Sequence, residues 1–173
     1  MGKDRRADAV LFGFDFQVNA AIVLMLKNIK ELRSLRLESE NEDIDIELYS
    51  GNHILAQAKS IVNSSTDFTN VRNNLNKALK SLSEGSNKIE TEKLILITNS
   101  PNPLNEDASR SIFWGPARRG FNTLPESSQK IITDYLSRID QPLDTDQFVI
   151  QVVPFETDDE AERYKAEIGR AHV

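Results

Sequence analysis

The chain has no cysteine and only two histidines, His53 and His172, among its 173 residues. Without a thiol it can form no disulfide, no thiolate zinc site and no cysteine nucleophile. Two histidines also leave histidine-based catalysis and zinc binding with almost no side chains to use. The chemistry of this chain is therefore expected to come from other residue types.

A long hydrophobic run is missing as well. The longest apolar segment is AAIVLML, from Ala20 to Leu26, which is far shorter than a membrane-spanning helix. The first residues, MGKDRRADA, are charged and lead to no apolar stretch with a small-residue cleavage site, unlike a signal peptide. Together with the lack of cysteine, these features predict a cytoplasmic protein with no membrane partner.

The chain has no excess of basic residues. Its net charge is −6 and its isoelectric point is near 5.0, which argues against binding nucleic acid through a broad basic face. An enzyme that meets DNA through a local basic rim, and keeps carboxylates for a metal, remains compatible with this charge. With 39% hydrophobic and 28% charged residues, the composition is that of one soluble globular domain.

Apolar periodicity predicts an α/β domain with a mixed β-sheet. Asp15 is the expected N-cap of the first helix, and Gly85 the expected stop of the second. Helices are predicted over Phe16–Leu32, Asp67–Gly85 and Pro125–Ile139. Strands are predicted over Ser34–Ser39, Asp43–Tyr49, His53–Ser60, Lys93–Asn99 and Gln147–Phe155, with an irregular connection over Phe113–Phe121.

The segment EDIDIELYSGNHILAQAKS, Glu42 to Ser60, predicts a β-hairpin with polar side chains at its open end. A three-residue loop, Ser50-Gly51-Asn52, would pair Asp45 with Gln57 and Asp43 with Lys59 on one face. A two-residue loop, Gly51-Asn52, would instead place Ala58 opposite Asp45 and break up the cluster. The polar pattern favours the three-residue loop.

The hairpin cluster has the chemistry of a metal-dependent phosphodiesterase. Asp43, Asp45 and Gln57 offer hard oxygen ligands, which hold Mg²⁺ or Mn²⁺ incompletely and leave positions for water and phosphate. Lys59 can orient the attacking water or stabilise the charge that builds on phosphorus. Which of the two aspartates would be the main metal ligand remains open at this point.

These residues resemble the PD-(D/E)xK nuclease superfamily, in the Gln-x-Lys variant of Mrr-like restriction enzymes. The similarity runs from GFDFQVNAA through LESENEDIDIEL and AQAKS to KLILITNS. It implies a restriction-endonuclease-like fold and a metal-dependent cut in double-stranded DNA. It also implies site roles for Gln17 on the first helix, for Glu38 after the first strand and for the acid-hydrophobic step Asp43-Ile44. Gln57 stands where the family more often has glutamate.

More narrowly, the chain is similar to the N-terminal nuclease domain of bacterial antiphage effectors. The resemblance implies a downstream cyclic-nucleotide sensor or a STAND-type NTPase domain, and a homo-oligomer on activation. The last residues, EIGRAHV at 167–173, match one reading frame of a common sequencing adapter. We therefore expect a nuclease domain over residues 1–166, a non-native tail over 167–173 and a longer natural protein. An ordinary chain end is the alternative.

Other interpretations accompany the nuclease prediction. A catalytically inactive nucleic-acid-binding module would share the fold, and a protein-interaction domain would make the hairpin pattern fortuitous. Trp114, Arg118 and Arg119 lie in the irregular connection and fit either a DNA-backbone contact or a surface loop packed on the domain.

Overall fold

The computed structural model describes residues 2–156, with side chains from residue 8 onward, and it has an α/β fold. The predicted domain end at 166 and the tail at 167–173 lie outside the described residues. The helices are α1 (Gly2–Lys27), α2 (Val71–Ser86), α3 (Asp107–Arg110) and α4 (Glu126–Leu136). The strands are β1 (Leu32–Leu37), β2 (Ile44–Leu48), β3 (His53–Lys59), β4 (Thr91–Thr98), β5 (Ala117–Gly120) and β6 (Phe148–Val152).

The six strands form one mixed sheet in the order β1-β2-β3-β4-β6-β5, which confirms the predicted fold class. Strands β1, β2 and β3 are antiparallel neighbours, whereas β3, β4 and β6 run parallel. β3 therefore lies near the middle of the sheet, at the change from antiparallel to parallel pairing. β5 pairs antiparallel with β6 at the far edge, where an irregular connection was predicted.

Helices cover both faces of the sheet because successive strand residues point to opposite sides. Helix α1 buries one face through Phe16, Ala20 and Leu24. These side chains pack on the following residues of β2, β3 and β4: Ile44, Ile46, Ile54, Ala56, Ile95 and Ile97. Helices α2 and α4 cover the other face through Leu75, Leu79, Leu82, Ile132 and Leu136, against Leu55, Leu94, Leu96, Phe148 and Ile150.

Helix α1 differs from its prediction at both ends. It continues through Gly13 and Asp15, so Asp15 is not its N-cap, and it ends at Lys27 instead of Leu32. At the C-terminal end, Asn28 donates from its side chain to the Leu24 carbonyl oxygen at 2.8 Å, and a turn leads into β1. The start was misplaced because Gly13 and Asp15, which often precede helices, lie inside this one.

The outer face of α1 is unusually apolar, with Val10, Leu11, Phe14, Ile22 and Leu26 exposed. Its segment Asp8–Lys27 has a mean hydropathy of 1.8, long and apolar enough to cross a membrane by length and composition. The seven-residue run AAIVLML did not reveal this length, because the high mean hydropathy extends over Asp8–Lys27. Core helices and signal sequences share the property, and the inner face of α1 packs on the sheet.

Helix α2 runs one residue past Gly85, so this glycine is not the stop predicted for it. A Cβ atom at Gly85 would lie 2.8 Å from Leu55 Cδ1 and 2.9 Å from the Asn41 carbonyl oxygen. Glycine is required here because the helix backbone approaches the β1–β2 loop too closely for a side chain. Gly85 therefore allows α2 to pack closely on the loop that leads into the predicted site.

Candidate active site

The β2–β3 hairpin has a three-residue loop, but one residue earlier than predicted. Glu47 pairs with His53 and Asp45 pairs with Leu55, and the Leu48 amide donates to the Asn52 carbonyl oxygen at 2.9 Å. The loop is thus residues 49–51, and the predicted pairing of Asp45 with Gln57 is wrong. Tyr49 rather than Asn52 occupies the loop, since Asn52 supplies a ladder hydrogen bond. Moving the loop by one residue shifts the cross-strand pairing by two residues, from Gln57 to Leu55 opposite Asp45. Because two is an even number, the polar side chains of both strands stay on the same face of the sheet.

The observed register brings Asp43, rather than Asp45, next to Gln57 and Lys59. Burial raises the pKa of the Asp43 carboxyl, and the Lys59 ammonium lowers it in part. Hydrogen bonds from the Ala58 backbone and from the Gln57 side chain also lower this pKa. The Asp43 carboxyl therefore lies against Gln57 and Ala58, and the Lys59 ammonium is near enough to act on its charge without reaching ion-pair distance. In residues 8–156 Lys59 forms no ion pair, so its ammonium group is available to a ligand.

Glu42 is a member of this group that sequence reasoning missed. Its side chain is 5% exposed, and its two carboxylate oxygens each accept from Ser81 Oγ on α2 at 3.0 Å. Gln57 Nε2 also donates to Glu42 Oε1. Burial, opposed mainly by the Ser81 hydrogen bond, raises the pKa of Glu42 to about 7. Strand alternation could not reveal this residue, because it lies two positions before β2 begins.

The β1–β2 loop holds Glu42 and Asp43 in place through its own backbone. The Glu38 amide donates to the Asp43 carbonyl oxygen at 2.8 Å, and the Ser39 amide to that of Glu42 at 3.0 Å. Glu38 has a φ of 51°, a left-handed conformation that is uncommon for a residue with a side chain. Its carboxyl group is close enough to Asp43 to raise the pKa of that residue. The predicted participant Glu38 thus lies at the rim of the group.

Gln17 reaches the site from the opposite face of the sheet. It is 7% exposed on α1, and its Nε2 donates to the Asp43 backbone carbonyl oxygen at 3.2 Å. The structure therefore gives Gln17 a contact with the Asp43 backbone, and the two predicted residues meet through that atom.

Asp45 has different partners, although it shares a strand face with Asp43. Its carboxylate lies 2.6 Å from His53 Nδ1, and it accepts from Asn41 Nδ2 at 3.0 Å and from Ser39 Oγ at 3.4 Å. These contacts tie the strand to the β1–β2 loop. The structure does not bring the Asp45 carboxylate into hydrogen-bonding contact with Gln57 or Lys59, so the four-residue cluster predicted from the hairpin divides into two.

Asn99 anchors the end of the strand that carries Lys59. Its side chain accepts from the Ile61 amide at 2.8 Å and donates to the Ile61 carbonyl oxygen at 2.8 Å. It also donates to the Phe155 carbonyl oxygen at 2.9 Å. Asn99 directly follows β4, so it joins the chain after β3 to the chain after β6. In the sequence, this residue is marked only by the polar segment Thr98-Asn99-Ser100 at the end of a buried strand.

Of the alternatives predicted for the 113–121 connection, packing on the domain holds for its two phenylalanines and not for Trp114, and the contact with DNA stays a prediction. Trp114 is 88% exposed, while Phe113 and Phe121 pack into the core. Arg118 lies on β5 and donates to Gln151 Oε1 at 2.9 Å, and burial lowers its pKa. This segment lies at the β5 edge of the sheet, several strands away from Asp43.

A cavity of about 200 Å³ opens over the site between the β1–β2 loop and α2. Its lining includes Glu38, Glu42, Asp43, Gln57, Ser81 and Glu84. Within the described residues, no three carboxylate or imidazole groups form a ready-made metal cluster. The donor chemistry nevertheless suits Mg²⁺, which proteins usually hold through one or two carboxylates with waters and substrate phosphates. Asp43 and the Gln57 carbonyl are the residues that could hold it.

Comparison with protein-family models, with curated proteins and with solved structures found no match for this chain.

Proposed function

We propose that this chain is a metal-dependent DNA endonuclease domain with a restriction-endonuclease-like fold. The observation that carries the proposal is the meeting of Asp43, Gln57 and Lys59 at one end of the central strands. This end coincides with the carboxyl end of the parallel strands β3, β4 and β6, where open α/β sheets usually bind their ligands. A carboxylate and a side-chain amide beside a cavity, with a nearby ammonium group that forms no ion pair within residues 8–156, suit phosphodiester hydrolysis.

The residues divide the reaction between them. A bound Mg²⁺ or Mn²⁺ ion would polarise the phosphate and acidify the attacking water. Asp43 and Gln57 would bind that ion at the mouth of the cavity. Lys59 would orient the water or stabilise the negative charge that develops on the phosphate oxygens. Of the two aspartates, Asp43 is the proposed ligand, because Asp45 is already bound by His53, Asn41 and Ser39.

The wider context remains part of the proposal. We propose a cytoplasmic effector of antiphage defence that acts on double-stranded DNA and is controlled by a downstream sensor or NTPase domain. Activation would bring several copies together. The apolar outer face of α1 favours a second candidate, a protein-interaction domain, because exposed hydrophobic patches often mark contact surfaces.

The test compares Lys59→Met with Lys93→Met, which makes the same change at an exposed lysine on β4. Both variants keep most of the side-chain stem, so we expect melting temperatures close to that of the unsubstituted protein. Duplex DNA cleavage in Mg²⁺ or Mn²⁺ should fall on the order of 10² or more for Lys59→Met only. Lys59→Arg should not restore it, since a planar guanidinium replaces a compact ammonium poorly.

Cleavage that continues in EDTA would remove the metal from the mechanism. A folded Lys59→Met variant that cuts DNA at the original rate would make Lys59 an ordinary surface lysine. Because the natural protein is expected to be longer, the assay should include the full-length gene product with its activator.

A further inference from the structure

The amide of Gln57 has an unusual environment for a proposed metal ligand. Its nitrogen donates to the Glu42 carboxylate and lies 3.3 Å from Ser81 Oγ, and its side chain also hydrogen-bonds the Asp43 carboxyl. Both carboxylates require a donor, so both contacts engage the nitrogen end of the amide. The carbonyl oxygen is then the end of the Gln57 side chain that is left for a cation or its water.

Glu42 is itself firmly held. Ser81 Oγ contacts both of its oxygens at 3.0 Å, and the Asp43 amide donates to Oε1 at 3.1 Å. A carboxylate that already accepts from a hydroxyl, a backbone amide and a side-chain amide has little capacity left to bind a metal directly. Its geometry suits a group that holds another ligand in place.

We infer that Glu42 is a positioning residue, which fixes the orientation of the Gln57 amide so that its carbonyl oxygen faces the metal position. This inference rests on the proposed function. A glutamate ligand would present oxygen in either orientation, whereas a glutamine presents oxygen in one orientation and nitrogen in the other. A chain with glutamine at this position therefore needs a partner that distinguishes the two ends, and Glu42 with Ser81 supplies it.

The test measures Mn²⁺ binding to the complete chain by calorimetry, without DNA. Loss of a residue that orients a metal ligand typically weakens metal affinity about 10–100-fold, which is the change expected for Glu42→Ala. Glu42→Gln should lose less, because its carbonyl oxygen can still accept from the Gln57 amide. Ser81→Ala should fall between Glu42→Gln and the unsubstituted protein. The control is Glu126→Ala, which removes an exposed carboxylate on α4, outside the lining of this cavity, and should leave the affinity unchanged.

A matched pair of backgrounds tests the orientation directly. Gln57→Glu presents oxygen whichever way its side chain is turned, so a metal ligand at this position then needs no partner that distinguishes two ends. Glu42→Ala should therefore weaken Mn²⁺ binding much less in the Gln57→Glu background than in the unsubstituted protein. A purely structural role for Glu42 would give the same loss of affinity in both backgrounds.

The outcomes separate the two proposals. An unsubstituted protein that takes up no Mn²⁺ would overturn the metal-dependent function, and the inference with it. An unsubstituted protein that binds Mn²⁺ no better than folded Glu42→Ala would overturn only the positioning role. Should Glu42→Ala fail to fold, equal affinities for Ser81→Ala, Glu42→Gln and the unsubstituted protein would have the same meaning.

Discussion

Asp43 and Asp45 are two residues apart on one face of the same hairpin, yet their surroundings differ in kind. Asp43 meets a glutamine, a lysine and a second carboxylate beside a cavity, and burial raises its pKa. Asp45 is 5% exposed and bound by a histidine, an asparagine and a serine. Burial therefore disfavours the charged form of Asp43. The carboxylate of Asp45, in contrast, has hydrogen-bonding partners on three side chains.

The difference shows what strand alternation can and cannot specify. Alternation places both aspartates on one face, but the position of the loop decides which of them lies opposite the Gln57-Ala58-Lys59 step. A carboxylate that burial disfavours is the one that gains most from a cation, so the comparison assigns chemistry to Asp43 and loop attachment to Asp45.

The largest effect is expected when matched substitutions at Asp43 and Asp45 are compared. Asp43→Asn should reduce DNA cleavage on the order of 10² or more, because it removes the proposed ligand charge. Its melting temperature should stay the same or rise, since the substitution removes a charge that burial disfavours. Asp45→Asn should retain most of the cleavage rate. Asp45→Ala should lose about 1–3 kcal/mol of folding free energy, because His53 and Asn41 lose their acceptor.

These values come from steady-state cleavage and urea unfolding of the same preparations. The comparison fails if Asp45→Asn, while folded, loses as much activity as Asp43→Asn.

A smaller effect is expected at Gly85, where α2 packs on the loop that leads to Asp43. Gly85→Ala forces either α2 or the loop at Asn41 to move, at a cost of about 1–3 kcal/mol in the free energy of unfolding. Because that loop leads to Glu42 and Asp43, cleavage should also fall. Gly120→Ala is the control, since a Cβ atom there meets nothing within 4 Å. Equal melting temperatures for the two variants would show that the close approach of α2 is unimportant.

The most gradual effect concerns pH and sharpens the electrostatic contrast. The folded-state pKa of Glu42 is about 7, above the ordinary 4.5, so the folded chain binds this proton more tightly than the unfolded chain. Its contribution to the free energy of unfolding should therefore be greatest at low pH, fall between about pH 4.5 and 7 and stay level above that range.

The measurement is the melting temperature of the unsubstituted protein minus that of Glu42→Gln, in EDTA. The difference isolates Glu42, because the two proteins share the other charged groups around the site: Glu38, Asp43, Lys59, Glu84 and Lys88. A difference that increases toward high pH would contradict the raised pKa.

Much of the fold could be predicted because its signals are local. The continuous apolar run of β4 and the alternation of β2 and β3 identified central strands, and the apolar face of α2 identified a covering helix. β5 was missed because ARRG has no apolar alternation and is a strand only through its pairing with β6. The start of α1 was missed because Asp15 has the residue type of an N-cap, yet the helix continues through it.

The candidate site was predictable in its residue types and only partly in its arrangement. The polar step at Gln57 and Lys59 and the acidic start of β2 follow from alternation. The contacts of Glu42 with Ser81, of Gln17 with the Asp43 backbone and of Asn99 with Ile61 join residues far apart in sequence. Such contacts depend on how helices and strands pack, and no local pattern encodes them.

The contacts of Asn99 also bear on the order in which parts of the protein can fold during synthesis. Its side chain holds Ile61, just after Lys59, and Phe155, just after the last strand. The hairpin with Asp43 and Gln57 can form from a short nascent chain, because its contacts are close in sequence. The attachment of Ile61 needs Asn99, which follows β4, and the third hydrogen bond of Asn99 needs Phe155. The Lys59 end of the hairpin is therefore anchored in two stages, first by β4 and Asn99 and then by the segment after the last strand.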